Sequence, residues 1–331
     1  MMVENEKSSD LQRTAMSLVA IRTRVLACSR SSSIQAVAAA WSSRSSSAAV
    51  VGGGALHPCS TFATASSQRF AAKPIRVAFF GTDDFAVPTL EALSKLQTAD
   101  DNGIRTEVEV FCPADRGKRR GKMVMQPVRK FAEAAELPVS NFPCPERGWS
   151  VWDELGTGDK QFDIGVAVSF GHLIPSEVLE SFAMGTMNLH PSLLPRYRGA
   201  APIQHTVLNG DETTACSVIE LSTGRFDHGQ ILHQVPVVVG AEEDEQGLRA
   251  RLAVIGAEAV AYTVKRFDAL RSTATAQTDT GYKSSAAPKL KKQVADVDFS
   301  SQTKSDIYRI YRAVGSHFPL RVSWKGKPLA L

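Results

Sequence analysis

Short apolar runs alternate with stretches of helical spacing from about residue 76 onward. Residues 76–80, Arg-Val-Ala-Phe-Phe, read as a buried strand that ends in Gly81-Thr82. Positions 88–95 carry apolar residues at helical spacing, 108–112 read as a second strand, 128–135 as a helix, and 138–139 open a short third strand. Ile-Gly-Val-Ala-Val-Ser at 164–169 is another buried strand, 176–182 is helical, and 186–189 return as a strand. Strands alternating with helices predict an α/β domain with a Rossmann-like, mostly parallel sheet. Further on, 217–221 and 231–239 read as strands, and 242–270 as one or two amphipathic helices that close this domain. A polar, small-residue linker follows at 272–280, and a second module starts near Tyr282 with a helix at 304–314, a strand at 321–324 and a turn at Gly326.

Composition adds limits. The chain of 331 residues is long enough for a sizeable core and more than one domain. Hydrophobic residues make up 43% and charged residues 22%, as in ordinary soluble proteins. No apolar run approaches the roughly 20 residues needed to span a bilayer. The net charge of +4 permits nucleic-acid binding without arguing for it. Cysteines at 28, 59, 112, 144 and 216 are odd in number and form no Cys-x-x-Cys pair, which argues against a zinc site or a disulfide framework. Cys112 and Cys216 lie in apolar surroundings and read as buried thiols in a reducing compartment.

The first segment differs from the rest. It is rich in Ser and Ala, carries Arg13, Arg22, Arg24, Arg30, Arg44 and Arg69, and has no acidic residue between Asp10 and Asp83. That is transit-peptide composition, with mitochondrion as the first reading and plastid as the alternative; a tail without an address is the blander one. Glu4, Glu6 and Asp10 are atypical at the start of such a peptide, so Met16 is the expected initiator, which N-terminal sequencing of the precursor would check.

The most informative chemistry lies in 187–204, Met-Asn-Leu-His-Pro-Ser-Leu-Leu-Pro-Arg-Tyr-Arg-Gly-Ala-Ala-Pro-Ile-Gln. If 185–190 end a strand, Asn188 and His190 point to one face. An amide donor and an imidazole aimed at one spot suit attack on a carbonyl, the amide holding the oxyanion and the imidazole managing protons. Taken alone, Asn-x-His also serves as a strand end with turn hydrogen bonds. A third candidate is Asp227 in Gly-Arg-Phe-Asp-His-Gly, where flanking glycines allow close approach; it also reads as a solvated turn residue. Gly81-Thr82-Asp83-Asp84-Phe85 is not Gly-x-Gly-x-x-Gly, so a dinucleotide site is not supported. Phe170-Gly171-His172-Leu173-Ile174-Pro175 follows a buried strand, where its apolar residues either sandwich a flat ring or join the core. Arg116, Lys118, Arg119, Arg120 and Lys122 form a basic cluster between a strand and a helix, either a solvated face or a phosphate-neutralising loop.

The run at 187–204 resembles the signature of the formyltransferase superfamily that uses 10-formyltetrahydrofolate, and its Arg-x-Arg-Gly-Ala-Ala-Pro-Ile-Gln extension looks like the branch acting on methionyl-tRNA. The resemblance covers the chain from about residue 75 to its end. It implies Asn188, His190 and Asp227 as catalytic residues, with one residue more before this Asp than in many bacterial members. It implies a folate site built from Phe170, Gly171, Leu173, Ile174 and Pro175 on one side and Ser192, Leu193, Leu194 and Pro195 on the other, with a cis Leu194-Pro195 bond. It implies that Arg116, Lys118, Arg119, Arg120 and Lys122 enter the tRNA acceptor stem, where the chain has Gly-Lys-Arg-Arg-Gly in place of the common Pro-Ala-Gly-Arg-Gly. Lys289, Lys291 and Lys292 either follow the tRNA backbone or form a soluble hinge.

The expected organisation is a transit or disordered segment at 1–74, a formyltransferase domain at 75–271, a linker at 272–288 and the beginning of an OB-like tRNA-gripping barrel at 289–331. A partial barrel leaves unpaired edges, so truncation is the expected reason for its shortness. The implied partners are methionyl-initiator tRNA and tetrahydrofolate, with no metal, no membrane and a monomeric state, in the mitochondrial matrix or alternatively the plastid stroma. The rivals are a folate-dependent formyltransferase for a small amine and a non-catalytic tRNA- or folate-binding homologue.

Overall fold

In the computed structural model, strand β1 (Ile75–Gly81) forms where the sequence alternates between two apolar faces. Val77 and Phe79 enter one cluster, while Ala78 and Phe80 enter another on the opposite side. The structure describes residues 73–96, 104–114, 125–142, 152, 161–221, 225–324 and 327–330, plus the backbone of 118–119 and 122–123. Arg116 and Arg120 of the basic cluster, the expected transit segment up to residue 72, Gly224 and the turn at Gly326 lie outside them.

Helix α1 (Val87–Lys95) begins with a proline in its first turn, where the missing N–H costs nothing. Then come β2 (Thr106–Cys112), a two-stranded hairpin of β3 (Lys118–Arg119) and β4 (Lys122–Met123), and α2 (Pro127–Ala134). The sequence suggests a loop for the basic segment; its backbone instead pairs Lys118 with Met123 and Arg119 with Lys122. Next are β5 (Val139–Asn141), β6 (Ile164–Val168), α3 (Ser176–Glu180) and β7 (Gly185–His190). Helix α4 (Pro202–Leu208), which the apolar spacing does not indicate, leads to β8 (Thr213–Glu220) and β9 (Ile231–Val238). The span expected as one or two helices is two, α5 (Glu245–Lys265) and α6 (Phe267–Ser272), separated at Arg266, whose φ of −130° departs from helix. The rest comprises β10 (Asp296–Val297), α7 (Lys304–Val314), β11 (Arg321–Trp324) and β12 (Lys327–Ala330). Thr303 and Asp306 form a reciprocal capping box that starts α7.

The main sheet has seven strands in the order β5-β2-β1-β6-β7-β8-β9. Five run parallel; β8 and β9 are antiparallel to their neighbours. This is the Rossmann-like, mostly parallel architecture that the alternation predicts. Chain order reverses between β1 and β6, and at that switch point a crevice opens beyond the carboxyl ends of the strands. Thr82 Oγ1 donates to Ser169 O at 2.5 Å across this point.

One sheet face is covered by α1, α2 and α5 over a mainly aliphatic core. The other carries an aromatic cluster of Phe80, Phe111, Phe142, Trp152, Phe162 and Phe182. Cys112 and Cys216 are buried as expected, and burial pushes the Cys216 thiol up to about 12 despite the nearby Arg251 charge.

Two later regions refine the expected organisation. Residues 272–288 do not hang free: Thr275 pairs with Ile231, and Ala286 pairs with Arg198. The C-terminal residues form a separate sheet, β10-β11-β12, and α7 packs on α4 and α5. Among the described residues this sheet has three strands and does not close into a barrel. No helix among them is long and apolar enough to cross a membrane.

Candidate active site

Alternation along β7 sends Met187 and Leu189 into the aliphatic core and leaves Thr186, Asn188 and His190 on the other face. The two chemical residues therefore share a face, as the i, i+2 spacing predicts. Asn188 lies between Ala167 of β6 and Ile219 of β8, and His190 beside Ser217. The Asn188 amide makes no hydrogen bond to another described residue, which leaves its N–H groups for a ligand.

His190 is 4% exposed. Its Nε2 lies 2.9 Å from the carbonyl oxygen of Tyr197. A carbonyl only accepts, so Nε2 carries the hydrogen and donates it. Nδ1 is then the nitrogen free to take a proton, and it faces Asp227 Oδ1 at 3.4 Å. The other carboxylate oxygen, Oδ2, accepts from the Gly199 N–H at 2.9 Å. Base and carboxylate are thus both held from the 196–199 turn.

That turn is unusual backbone. Tyr197 has φ of +63° and Gly199 of +119°, and a Cβ on Gly199 would sit 2.8 Å from Ala287 O. The Tyr197 hydroxyl donates to Asp211 Oδ2 at 2.5 Å, and Arg196 Nη2 donates to Asp211 Oδ1 at 2.6 Å. Burial, with the Asp211 carboxylate beside it, raises the Tyr197 phenol above its ordinary pKa. The ring is thereby anchored while its backbone carbonyl reaches His190.

Asp227 also has a positive φ, +58°. Its loop passes so close to β8 that a Cβ on Gly229 would fall 1.6 Å from Glu220 O. Neighbouring His228 is exposed, with Nε2 3.3 Å from Arg198 Nη1.

The two expected folate walls follow the carboxyl ends of β6 and β7, which pair in parallel. In the first, Phe170 and Ile174 are buried in the aromatic cluster, Gly171 has φ of +75° with open space where a Cβ would stand, and Leu173 is 61% exposed. Ile174 thus serves the core, Phe170 is buried there but also borders the cavity below, Pro175 is partly buried, and Leu173 is an exposed apolar side chain. In the second wall, Ser192, Leu193, Leu194 and Pro195 are all buried, and the Leu194-Pro195 bond is cis as expected. Ser217 Oγ donates to Ser192 O at 2.6 Å and accepts from Gln234 Nε2 at 2.7 Å. Ser192 Oγ donates to Arg196 O at 2.7 Å.

Between the first wall and the root of the basic hairpin lies a cavity of about 420 Å³ lined by Thr82, Pro113, Met125, Gln126, Phe170 and His172. The backbone at Lys118, Arg119 and Lys122 lies in the hairpin beyond it. Gln126 Nε2 donates to Pro113 O at 2.9 Å and closes the hairpin's base.

Three residues that hold the site carry no clear signal in the sequence pattern. Gln277 binds Arg198 and the Asp227 loop, Ser285 Oγ accepts from Tyr197 N at 3.0 Å, and Ser217 braces the second wall. A glutamine among small residues in an expected linker, Ala-Thr-Ala-Gln, is the one hint for Gln277. Among the described residues no group of three or more His, Cys, Asp or Glu side chains could hold a metal ion.

Known proteins are similar to this chain in sequence, and others in fold. The chain is 33% identical over 261 residues to the human mitochondrial methionyl-tRNA formyltransferase, covering 78% of this chain and 61% of that protein. It is 34% identical over 263 residues to the methionyl-tRNA formyltransferase of Alcanivorax borkumensis, covering 78% of this chain and 74% of the relative. The chain thus spans about three fifths of the length of its mammalian relatives. In fold it is similar to a sugar N-formyltransferase from a Shewanella species, with TM-score 0.57 at 14% identity over 78% of this chain and 96% of that one. It is also similar in fold to an N-formyltransferase from Helicobacter canadensis solved with folinic acid and dTDP-3-aminofucose, with TM-score 0.54 at 16% identity over 76% and 85%. The family model described as formyl transferase matches residues 75–264, which contain both expected folate segments, Asn188, His190 and Asp227, so the chain belongs to the formyl transferase family.

Proposed function

We propose that this chain transfers the formyl group of 10-formyltetrahydrofolate to the α-amine of methionyl-initiator tRNA, for translation initiation in an organelle. The observation that carries the reading is the His190–Asp227 contact beside an unengaged Asn188 amide on one strand end. The α-amine of the aminoacyl ester attacks the formyl carbon, forming the new C–N bond. An ester substituent lowers that amine's pKa, so much of it is neutral near physiological pH and the base has modest work to do. Asn188 donates to the oxyanion of the tetrahedral intermediate. His190 Nδ1 takes the proton that the amine nitrogen loses, and the Asp227 carboxylate stabilises the imidazolium. The bond to N10 of the folate then breaks, and N10 takes that proton from the His190 imidazolium, which leaves tetrahydrofolate and restores the base.

Leu173 and the backbone around Gly171 face the pterin on one side, with the 192–195 segment opposite. Arg116, Lys118, Arg119, Arg120 and Lys122 neutralise acceptor-stem phosphates, with Arg116 at the first base pair, and the C-terminal module grips the tRNA body. The names of the mitochondrial relatives and the basic composition of residues 11–72 support the mitochondrial matrix, with the plastid stroma as the alternative. The protein acts as a monomer and uses no metal.

A shortened chain beginning near Lys73, given 10-formyltetrahydrofolate and charged initiator tRNA, tests this reading. Formyl-methionine on the tRNA, lost in His190→Ala and reduced in Arg116→Ala, is the expected result. Formylation of a small amino sugar or nucleotide amine in preference to the tRNA would overturn the tRNA assignment; that reading draws on the sugar formyltransferases of like fold.

A further inference from the structure

We infer that Gln277 is a positioning residue for the His190–Asp227 pair; the inference rests on the formyl-transfer reading of that pair. Gln277 is 5% exposed. Its Oε1 accepts from Arg198 Nε at 2.9 Å and from Arg198 Nη2 at 2.6 Å. Its Nε2 donates to the carbonyl oxygens of Asp227 at 2.9 Å and Gly229 at 2.8 Å. A primary amide offers two lone pairs on oxygen and two hydrogens on nitrogen, so all four are used, each in a fixed direction.

The two partners belong to the two loops that make the catalytic pair. The 196–199 turn supplies the carbonyl that fixes the His190 tautomer and the N–H that holds Asp227 Oδ2. The 225–229 loop supplies the carboxylate. Tyr197, Gly199 and Asp227 all have positive φ, a backbone state that persists at non-glycine residues only when the surroundings over-determine it. Gln277 lies outside both loops and joins them with one amide, within a segment that is itself anchored. Thr275 exchanges two backbone hydrogen bonds with Ile231, and further along Ser285 O accepts from Arg198 N at 2.9 Å and Ala287 N donates to Arg198 O at 2.6 Å. The segment leading to the C-terminal module therefore clamps the catalytic loops, with Gln277 as its contact to the Asp227 backbone. Burial depresses the pKa of the Arg198 guanidinium, and the facing Asp227 charge opposes that.

Two variants of the full chain separate the halves of this clamp. Gln277→Glu keeps an acceptor for the Arg198 guanidinium but has no hydrogens for the Asp227 and Gly229 carbonyls. Gln277→Leu removes both halves. Positioning predicts that kcat falls about 10- to 100-fold in both, because small displacements of catalytic groups carry losses of that order. KM for the folate donor and for the tRNA should stay within about twofold of wild type, since no substrate contact is removed. An activity-independent reading accompanies this: amide hydrogen exchange at Gly199, whose N–H is held by Asp227, should quicken in Gln277→Glu by more than the accompanying loss of global stability accounts for. Unchanged kcat together with unchanged Gly199 protection overturns the inference, as does a loss that appears only as raised KM. If the wild type formylates no tested amine, the formyl-transfer reading fails by itself, and protection at Gly199 still decides whether Gln277 holds the pair.

Discussion

The two segments expected to hold folate, the first and second walls, are held in place by different physics. Residues 170–175 are anchored by burial: Phe170 and Ile174 lie in the aromatic cluster, with Phe170 edge-on to Phe80 at 5.4 Å between ring centroids. Residues 190–199 are anchored by directed hydrogen bonds with Ser217, Gln234, Asp211, Ser285 and Gln277, beside the packing of Leu194 on Ile219 and Ile231. Apolar burial is non-directional, so it holds the first wall while tolerating swaps of similar volume. A buried hydrogen bond is directional, and losing one partner strands the other. The wall that aims catalytic atoms is therefore the wall built from directional contacts.

Four measurements would break or sharpen this contrast. Phe80→Ala should destabilise the fold by about 3–5 kcal/mol, because Phe80 is 1% exposed and centres the aromatic cluster. Denaturant unfolding reads that loss, and a change under about 1 kcal/mol would mean the first wall does not depend on the cluster. Asn188→Ala should lower kcat by roughly 100- to 1000-fold, about 3–4 kcal/mol of transition-state stabilisation, with folding unaffected. Steady-state formylation kinetics check it, and an effect confined to KM would place Asn188 in ground-state binding.

Ser217→Ala should cost about 1–3 kcal/mol, since Ser192 O and Gln234 Nε2 each lose a buried partner. The same variant should lower kcat more than its stability loss would suggest, and parallel melting and kinetic series would show whether the two changes part. Ile174→Val on the first wall should cost only about 0.5–1.5 kcal/mol and leave kcat near wild type. A larger kcat loss from Ile174→Val than from Ser217→Ala would reverse the assignment of roles to the two walls.

Much of the fold is legible locally. The strand and helix periods at 76–80, 164–169 and 186–189 predict a parallel α/β sheet, and the observed strands fall on those positions. The hairpin at 118–123 is not legible, because glycines and cations carry no apolar alternation. Helix α4 escapes the pattern because its seven residues, Pro-Ile-Gln-His-Thr-Val-Leu, are too short to show a period. At the site, the shared face of Asn188 and His190 follows from spacing. The apolar residues of 170–175 are ambiguous in sequence, and burial separates Phe170 and Ile174 from Leu173.

The sequence by itself determined which residue types could do carbonyl chemistry and that two of them share a face. That much is covalent geometry, since side chains of a strand alternate with a period of two whatever the rest of the chain does. The Gly-flanked turn offered Asp227 as a third candidate, and the resemblance to the family chose it over a solvated turn residue. Only the tertiary structure decided which nitrogen of His190 is free, because Tyr197 O reaches it through a turn at positive φ. Only the tertiary structure brought Gln277 to Arg198, 79 residues away, and turned an apparent linker into part of the site's frame. Such contacts depend on how distant loops pack over the sheet ends, and no local period encodes that meeting.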